Sequence, residues 1–595
     1  MEDNDTKSNE SKMMVGEDPG SGGDEGLDPS LTFFERVMVA VGTEGRYQKL
    51  LLYAFMLPLS FYSPFGASSL LLMMSTPDHS CHVPGRAKHN VSVEEWQNMT
   101  LPWEAGADGT RQLSKCSMYN ISYGVGRGGH NTFVIDNTTT TYCQYGWDYD
   151  RRNWQETSVT HFDWVCDQAS TVTTIFSLAV AGNAVGTLLL SILADRVGRR
   201  PVFFLAASIN FFFGVVNMYM PNWQFFAIAR FLNCFAFFSI YQMPYIIVVE
   251  LSSEKLRGLT AALSFVVGTL GMCCVSLCAW LLANWRSFGL LCHIPSILFL
   301  LYWKFLPESP RWLLSVNRVK ECEAIMTQVA ITNGRRVPPD LRRLLEEARA
   351  AEKKSASVRD LLKHKTLRKH LLIATLNTVI FCVVYSGIVL NIHNMTGNEF
   401  VNFFVLSLVE IPGNILGMVS AQYLGRRLTT IYTLSLSAIF SGLASTAITD
   451  QWLLVTFCGL VKLFVTEAVL VVYVQIGELF PTPLRSISYG VTAVTGLSAT
   501  VLVPTLMALG NTDRKLPYYI LCSLCLCGAM VSTFLPETLG LPLPQTVQQA
   551  SKVGRDQPYC AIVTHWTKHN RTPSTYSHTE AEKGKATVNG ITSAF

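Results

Sequence analysis

Four ionisable side chains lie inside long apolar runs of this sequence: Arg230, Glu410, Lys462 and Glu467. A charge at the centre of a bilayer costs about 2.5–3.5 kcal/mol on insertion scales unless it is paired or hydrated. Lys462 therefore indicates either an ion pair with a glutamate inside a helix bundle or the lining of a polar path. Glu410 favours a ligand-binding role, because its own apolar run contains no cation that could pair with it.

Three tyrosines in the apolar runs are a second feature. Tyr241 and Tyr245 are four residues apart, which places them on one face of a helix, and Tyr385 lies in a different run. An aromatic ring attracts an ammonium group by roughly 0.5–2 kcal/mol. Helix packing is the alternative explanation for each ring. Together with the buried glutamates and lysine, these tyrosines predict a binding site for a small cationic group.

The sequence contains none of the common catalytic motifs that we searched for. The chain contains no HExxH spacing, no GxSxG elbow and no Walker loop. Cys522, Cys525 and Cys527 lie in an apolar run without histidine partners, so packing explains them better than a metal site. The net charge of +4 is scattered and forms no basic stripe, which argues against nucleic-acid binding. We therefore predict a protein that is not an enzyme and has no cofactor and no metal.

The elements that must position these residues are twelve apolar runs, each long enough to cross about 30 Å of hydrocarbon as a helix. Of the 595 residues, 49% are hydrophobic and 15% are charged, against roughly 25% charged in soluble domains. The composition predicts an all-α membrane protein with twelve transmembrane helices. The runs cover residues 50–74, 170–194, 202–220, 223–249, 259–283, 287–306, 371–391, 399–421, 429–448, 452–477, 487–509 and 517–535.

Three short motifs recur at nearly one spacing. GRR begins at residues 198 and 425, the pattern ELxxxxLR at 250 and 478, and LPE at 306 and 535. Offsets of 227, 228 and 229 residues indicate two copies of one unit in parallel orientation, hence two six-helix bundles. The predicted organisation is a disordered cytoplasmic tail (1–31), a first bundle (32–314), a cytoplasmic linker with short helices (315–370), a second bundle (371–544) and a second disordered cytoplasmic tail (545–595).

A polar insert over residues 78–168 interrupts the first bundle. It holds four cysteines, Cys81, Cys116, Cys143 and Cys166, and four glycosylation sequons, at Asn90, Asn98, Asn120 and Asn137. This combination predicts a glycosylated extracellular domain with two disulfides, for which three pairings are possible.

Lys and Arg concentrate in alternate loops between the apolar runs, including DRVGRR, SSEKLRG, LGRR and PTPLR. Cytoplasmic loops of membrane proteins carry this excess of positive charge. The pattern predicts that both termini are cytoplasmic and that the insert lies outside the cell. We expect a multi-pass protein of the plasma membrane.

Several motifs together resemble one transporter group. They are TPDHSCHVPG at the start of the insert, TSVTHFDWVCD at its end, PESPRWLL from Pro307, ELFPTPLR from Glu478 and the duplicated GRR loop. Over residues 33–544 the combination is similar to the organic ion transporters, solute carrier family 22, of the major facilitator superfamily. The resemblance implies alternating access around a mid-membrane site for a small organic cation or zwitterion, such as an amine or a choline-, carnitine- or beta-alanine-like molecule.

Two details of the resemblance bear on the ligand. Tyr245 and Tyr385 fall where related cation transporters carry a tyrosine. Leu497 stands where cation carriers have aspartate and where anion or carnitine carriers have arginine, so neither charge is present. A non-transporting receptor on the same scaffold is therefore the alternative function. The predicted substrate-binding residues are Tyr241, Tyr245, Tyr385, Glu410, Lys462 and Glu467.

Charged residues near the cytoplasmic ends of the runs form a second predicted set. Asp195 and the arginines that follow it could pair across the boundary between the bundles in one conformation and separate in the other, a role that the resemblance also implies. Simple anchoring by the positive-inside rule is the alternative for the arginines. The predicted gating residues are Asp195, Arg196, Arg199, Arg200, Arg230, Glu250, Arg257, Glu308, Arg311, Arg426, Arg427, Glu478 and Arg485.

The last three residues of the sequence, Ser593, Ala594 and Phe595, fit a peptide that binds a PDZ domain.

Overall fold

The computed structural model describes residues 33–86, 91–105, 111–125, 131–352, 361, 363–395, 397–541, 543–544 and 547–554. The two tails predicted to be disordered fall almost wholly outside these residues, as do the C-terminal PDZ-type residues and the sequon at Asn90. Asn98, Asn120 and Asn137 are described and exposed. Their glycosylation stays a prediction.

The first half of the chain consists of membrane-length helices around the insert. Its main helices are α1 (Phe33–Val41), α2 (Arg46–Met73), α5 (Ala169–Val197), α6 (Arg199–Asn217), α7 (Trp223–Glu250), α8 (Glu254–Leu282) and α9 (Trp285–Lys304). The insert contributes α3 (Val93–Thr100) and α4 (Ser158–Phe162). Three short helices follow α9: α10 (Pro310–Ser315), α11 (Val319–Thr332) and α12 (Leu341–Glu352).

The second half repeats this arrangement without an insert. Its helices are α13 (Lys365–Leu390), α14 (Glu399–Tyr423), α15 (Arg426–Ala444), α16 (Gln451–Leu479), α17 (Thr482–Ala499), α18 (Val503–Ala508), α19 (Leu516–Ser532) and α20 (Val547–Lys552). Within the described residues, ten helices are long and apolar enough to cross a membrane. The other two expected spans correspond to α19, which is apolar but shorter, and to α15, which has 19 residues.

The same helix neighbours recur in both halves, which explains the duplicated motifs. Helix α7 packs against α5 and α6, as α16 packs against α14 and α15, and the pair α2–α8 corresponds to α13–α17. Between the halves, α5 contacts α17 and α18, and α8 contacts α14. We call the end of the bundle that carries the insert the insert end, and the end that carries α10 to α12 the linker end.

Each LPE glutamate completes the start of a helix in its own half. Glu308 accepts hydrogen bonds from the backbone N–H groups of Arg199 and Arg200, at 2.9 and 3.2 Å. Glu537 does the same for Arg426 and Arg427, at 2.9 and 3.0 Å. A carboxylate is stabilising there, because the first N–H groups of a helix have no partner within the helix. The GRR and LPE motifs recur together because they form one contact.

The insert is built from three pairs of antiparallel strands. β1 (His79–Cys81) pairs with β6 (Trp147–Tyr149), β2 (Trp103–Ala105) with β3 (Arg111–Leu113), and β4 (Ser117–Val125) with β5 (Asn131–Tyr142). Disulfides join Cys81 to Cys143 and Cys116 to Cys166, which selects one of the three pairings that the sequence leaves open. Burial lowers the pKa of His79. A hydrogen bond from Lys115 lowers the pKa of Asp78.

Candidate functional site

Three of the predicted site residues meet inside the second half, one from each of α13, α14 and α16. The Nζ atom of Lys462 lies 2.8 Å from Oε1 of Glu410, and the Tyr385 hydroxyl donates a hydrogen bond of 2.5 Å to the same oxygen. Lys462 Nζ also lies 5.3 Å from the centre of the Tyr385 ring, within cation–π range. We call these three residues the Lys462 cluster.

The local sequence of α14 explains why Glu410 can reach this position. The helix is interrupted at Val409, between Leu408 and Glu410, and Pro412 has no N–H with which to continue the hydrogen-bond ladder. Gly413 follows, and a Cβ there would lie 2.9 Å from the carbonyl oxygen of Leu463 on α16. The absence of a side chain therefore lets α14 pack closely on α16 and brings Glu410 beside Lys462.

Both charges of the cluster are removed from solvent. Lys462 is 1% exposed and Glu410 is 8% exposed, whereas Tyr385 is partly exposed. In the described part of the chain, the Lys462 ammonium has no hydrogen-bond partner of normal geometry, although its charge faces Glu410. The ammonium therefore keeps N–H donors that are not committed to the protein. A buried pair of this kind is strongly destabilised when one member is removed.

The Lys462 cluster lies at the boundary between the halves. Cys273 on α8, in the first half, packs against α14 with its Sγ atom 4.0 Å from the carbonyl oxygen of Phe404. The charges of Glu410 and Lys462 act on its thiol. A change in how the two halves pack would therefore change the surroundings of this ion pair.

Tyrosines continue from the cluster towards the linker end. Tyr241 and Tyr245 stack with their ring centres 5.8 Å apart, and Tyr473 and Tyr489 stack at 5.4 Å. The Tyr473 side chain is close enough to Tyr245 to interact with it electrostatically. Tyr473 is 45% exposed. The sequence interpretation missed Tyr473 and Tyr489. A signal was present, because Tyr473 follows Lys462 by eleven residues, about three helical turns along the same face.

Glu467 does not join the Lys462 cluster, contrary to the prediction. It is 1% exposed and accepts hydrogen bonds from the hydroxyls of Ser420, at 2.5 Å, and Tyr432. Five residues separate it from Lys462, which is about 140° around the helix at 100° per residue. Glu467 therefore faces α14 and α15 within the second half.

Several of the predicted gating charges form contacts within their own halves in this conformation. Arg199 lies 3.5 Å from Asp195, and Arg426 lies 2.7 Å from Glu478. Arg257 donates to the carbonyl oxygen of Val249 at 2.8 Å, and Ser309 donates to Glu250. Pairing across the boundary between the halves stays a prediction.

The other predicted gating residues lie in different surroundings. Arg200 and Arg311 stack over Trp303 and Phe34, each with 4.9 Å to the ring centre, and Arg427 donates to the carbonyl oxygen of Thr533. Arg196 is exposed, and Arg485 lies near Tyr489. Arg230 is completely buried in the first half, near the insert end. The structure does not place it with the other gating residues.

A contact between the halves at the insert end was also missed from the sequence. Glu399, at the start of α14, accepts hydrogen bonds from the Ser75 hydroxyl at 2.7 Å and from Trp154 Nε1 of the insert at 2.6 Å. Asn398 donates to Asn153 at 3.3 Å, and Trp154 packs on Phe400 with ring centres 5.1 Å apart. We call these residues the insert-end contact. An acidic residue at a helix start gives no sequence signal of its own, because it is favourable there in any helix.

Comparison with known proteins decides the family. The model of the family described as "Sugar (and other) transporter" matches residues 128–549. The chain belongs to this transporter family. It is 29% identical over 537 residues to "Organic cation transporter 1" of Caenorhabditis elegans, covering 88% of this chain and 89% of that protein. It is 29% identical over 560 residues to human "Organic cation/carnitine transporter 2", covering 91% and 96%.

A third relative and a solved structure complete the comparison. The "Beta-alanine transporter" of Drosophila melanogaster is 27% identical over 573 residues, covering 90% of this chain and 92% of that protein. The inward open structure of the xylose transporter XylE from E. coli has a TM-score of 0.51 at 18% identity and covers 63% of this chain and 88% of its own, which shows the fold alone. The transporter is thus a membrane protein of the major facilitator fold and is not an enzyme.

Proposed function

We propose that this transporter carries small organic cations or zwitterions by exchanging the buried Lys462–Glu410 ion pair for the charges of its ligand. The observation that carries this proposal is the ion pair itself, which is buried at the boundary between the halves and shares one carboxylate oxygen with Tyr385. Separating a buried ion pair is costly, because each charge loses its partner. A ligand that brings one charge of each sign supplies both charges with a new partner and so offsets this cost.

The exchange uses each member of the Lys462 cluster in a different way. The ligand's ammonium takes the place of Lys462 at Glu410, and the Tyr385 ring adds a cation–π contact. A carboxylate on the ligand binds the Lys462 ammonium, whose N–H donors are uncommitted. A simple cation replaces only half of the pair, so it leaves Lys462 without a counter-charge. Zwitterions therefore fit the cluster better than simple cations.

The relatives support this substrate class. The names of the three relatives above refer to organic cations, carnitine and beta-alanine. Carnitine and beta-alanine each carry one positive nitrogen and one carboxylate. Leu497, which lacks the charge found in related carriers, is consistent with recognition through the Lys462 cluster instead.

Alternating access requires that the insert-end contact opens and closes. In the described conformation, Glu399 joins Ser75 and Trp154 of the first half. At the linker end, the ion pairs of Asp195 with Arg199 and of Arg426 with Glu478 each lie within one half. We propose that this is a state closed at the insert end, that the insert faces the outside of a plasma membrane, and that both termini are cytoplasmic.

Uptake by proteoliposomes tests the proposed function. Wild-type protein should take up radiolabelled beta-alanine and choline with saturation, and Glu410→Gln should lower this uptake by at least about 100-fold, because it leaves Lys462 as an unpaired buried charge. Glu467→Gln is the matched control, since it changes a buried glutamate of the same half that lies outside the cluster. It should keep the wild-type KM. Saturable binding without uptake by the wild type would support a receptor instead, and unchanged uptake by Glu410→Gln would refute the role of the pair.

We further propose that the C-terminal residues, which lie outside the described part, bind a PDZ domain through their free carboxylate. A C-terminal peptide should lose binding to PDZ domains when Phe595 is deleted. Equal binding of the shortened peptide would contradict the proposal.

A further inference from the structure

Two ionisable side chains lie together at the insert end, apart from the Lys462 cluster. His393 follows the end of α13, and its Nδ1 atom lies 3.8 Å from Oε2 of Glu399 at the start of α14. Their side chains are only 20% and 13% exposed. We call these two residues the His393–Glu399 pair. Both belong to the second half, and the mechanism proposed above uses only the hydrogen bonds of Glu399.

Contacts with the first half enclose this pair. Oε1 of Glu399 accepts the hydrogen bonds from Ser75, which follows α2, and from Trp154 of the insert. The His393 ring packs against Phe176 of α5, with ring centres 6.2 Å apart. Three segments of the first half therefore cover the pair, and they do so only while the halves meet at the insert end.

Neutral groups make up the first-half side of this contact. A hydroxyl, an indole and a phenyl ring touch the pair, and the backbone of Leu71 lies beside the imidazole. Among the described residues, His393 is the one ion-pair partner of Glu399. The charged side chains of the adjoining insert segment pair with one another, Arg152 with Asp150 at 3.6 Å and His161 with Glu156 at 2.8 Å.

The number of protons on the pair must therefore change when the contact opens. While the pair is enclosed, an ionised Glu399 beside a neutral His393 is an unpaired buried charge, which is strongly unfavourable. One proton shared by the pair, on either residue, removes this charge. In water a glutamate titrates near pH ~4.3 and a histidine near pH ~6.5, so above about pH 7 an open pair holds no proton.

We propose that the His393–Glu399 pair is a proton-binding site, which takes up one proton when the insert end closes and releases it when the insert end opens. The proposal rests on the opening of the insert-end contact proposed above and on no assumption about the ligand. Because the closed state binds the additional proton, acid favours closure. Above about pH 7 the ratio of open to closed protein should rise by up to about 10-fold per pH unit.

Labelling of Cys273 tests this site without a ligand. An impermeant thiol reagent is applied to the full-length protein from the insert side at pH 7 and pH 8. The wild-type rate is divided at each pH by the rate of Glu399→Gln, which keeps the same thiol but has an amide that binds no proton. This ratio should rise at least about 5-fold from pH 7 to pH 8, because the wild type opens as the proton leaves.

An exposed pair of the same chemistry provides the matched control. In the insert, His82 Nδ1 lies 2.9 Å from Asp148, and the two side chains are 46% and 64% exposed. Asp148→Asn should keep the full pH response, because an exposed pair gains no proton on closure. Loss of the response in Asp148→Asn would assign it to the exposed pair and would overturn the proposal.

Hydrogen exchange of the wild type covers the case in which Glu399→Gln does not fold. The backbone amides at the start of α14 should lose protection at least about 5-fold from pH 7 to pH 8, after division by the intrinsic exchange rates. A labelling ratio that is equal at pH 7 and pH 8, or protection that does not fall, would overturn the proton site. Neither measurement uses a ligand, so failure of the proton site is distinguishable from failure of uptake in proteoliposomes.

Discussion

Helices α7 and α16 hold corresponding places in the two halves, and each carries one buried cation. Arg230 on α7 is followed eleven residues later by Tyr241, and Lys462 on α16 is followed eleven residues later by Tyr473. Both cations are at most 1% exposed. Their partners differ. Lys462 faces the carboxylate of Glu410 at 2.8 Å, whereas Arg230 faces neutral donors and acceptors.

This difference separates two uses of a buried charge. The pair in the second half lies at the boundary between the halves, where α8 meets α14, so a change in packing can open it to a ligand. The cation in the first half lies inside its own bundle and makes the hydrogen bonds that join α2, α7 and α9. We therefore propose that the duplicated framework carries one exchangeable ion pair and one enclosed structural cation.

Removing the buried cation from each half in turn should give the largest difference between the halves, in the free energy of unfolding. Lys462→Met leaves Glu410 as a buried unpaired charge and should lower the free energy of unfolding by about 3–5 kcal/mol. Arg230→Met leaves no buried charge behind, so it should cost much less. Thermal unfolding measures both effects. The double variant Lys462→Met with Glu410→Met is the control and should recover most of the loss. A larger loss for Arg230→Met would contradict the assignment of the pair.

Removing the Tyr385 hydroxyl from the Lys462 cluster should weaken ligand binding. Tyr385→Phe deletes the hydrogen bond to Glu410, and hydrogen bonds to charged groups contribute about 1.5–3 kcal/mol, so KM for beta-alanine should rise by roughly 10-fold or more. Tyr62→Phe, which removes a buried tyrosine hydroxyl of the first half that donates to the carbonyl oxygen of Cys292, should leave KM nearly unchanged. Equal effects of the two variants would place the ligand elsewhere.

Opening the insert-end contact should expose the boundary on which the exchangeable pair lies. Glu399→Gln weakens the bonds from Ser75 and Trp154 and should speed labelling of Cys273 by an impermeant thiol reagent applied from the insert side, by about 5-fold. The same variant carrying Cys273→Ser is the control and should show no such faster labelling. If Cys273 reacts at the wild-type rate in Glu399→Gln, the insert-end contact does not hold the halves together.

The insert should lose stability as the pH falls, and this is the smallest expected effect. Burial lowers the pKa of His79 in the folded insert, so the unfolded insert binds the proton first. Stability is then fully present above about pH 6.5 and is lost as the pH falls below that value. Hydrogen exchange of the insert at pH 7 and pH 5.5 measures this, and His79→Gln should reduce the difference. A pH response unchanged in His79→Gln would assign it to other groups.

Periodicity and repetition were enough to predict the helical membrane fold and the parallel repeat. The motifs GRR and LPE recur because Glu308 and Glu537 contact the two GRR loops, and such local contacts leave a spacing in the sequence. The face shared by Tyr241 and Tyr245 was predicted correctly, since i to i+4 spacing alone determines it.

Contacts between distant helices could not be read in the same way. The sequence allowed Lys462 to pair with either nearby glutamate, and only packing of α14 on α16 selects Glu410 and directs Glu467 elsewhere. The argument that Glu410 has no cation in its own helix was correct but incomplete, because its partner comes from another helix. The cluster around Arg230 was missed, because neutral Asn, Ser and His in apolar runs give little signal until they meet in three dimensions.

The central claim is that the Lys462–Glu410 pair is exchanged for the charges of the ligand. The most direct test compares uptake of beta-alanine, which carries both charges, with uptake of choline, which carries only the positive one, by wild type and Lys462→Met. Proteoliposomes with equal amounts of folded protein should show that Lys462→Met raises KM for beta-alanine at least about 10-fold more than KM for choline. Equal changes for the two substrates would show that Lys462 does not bind the ligand's carboxylate and would contradict the exchange.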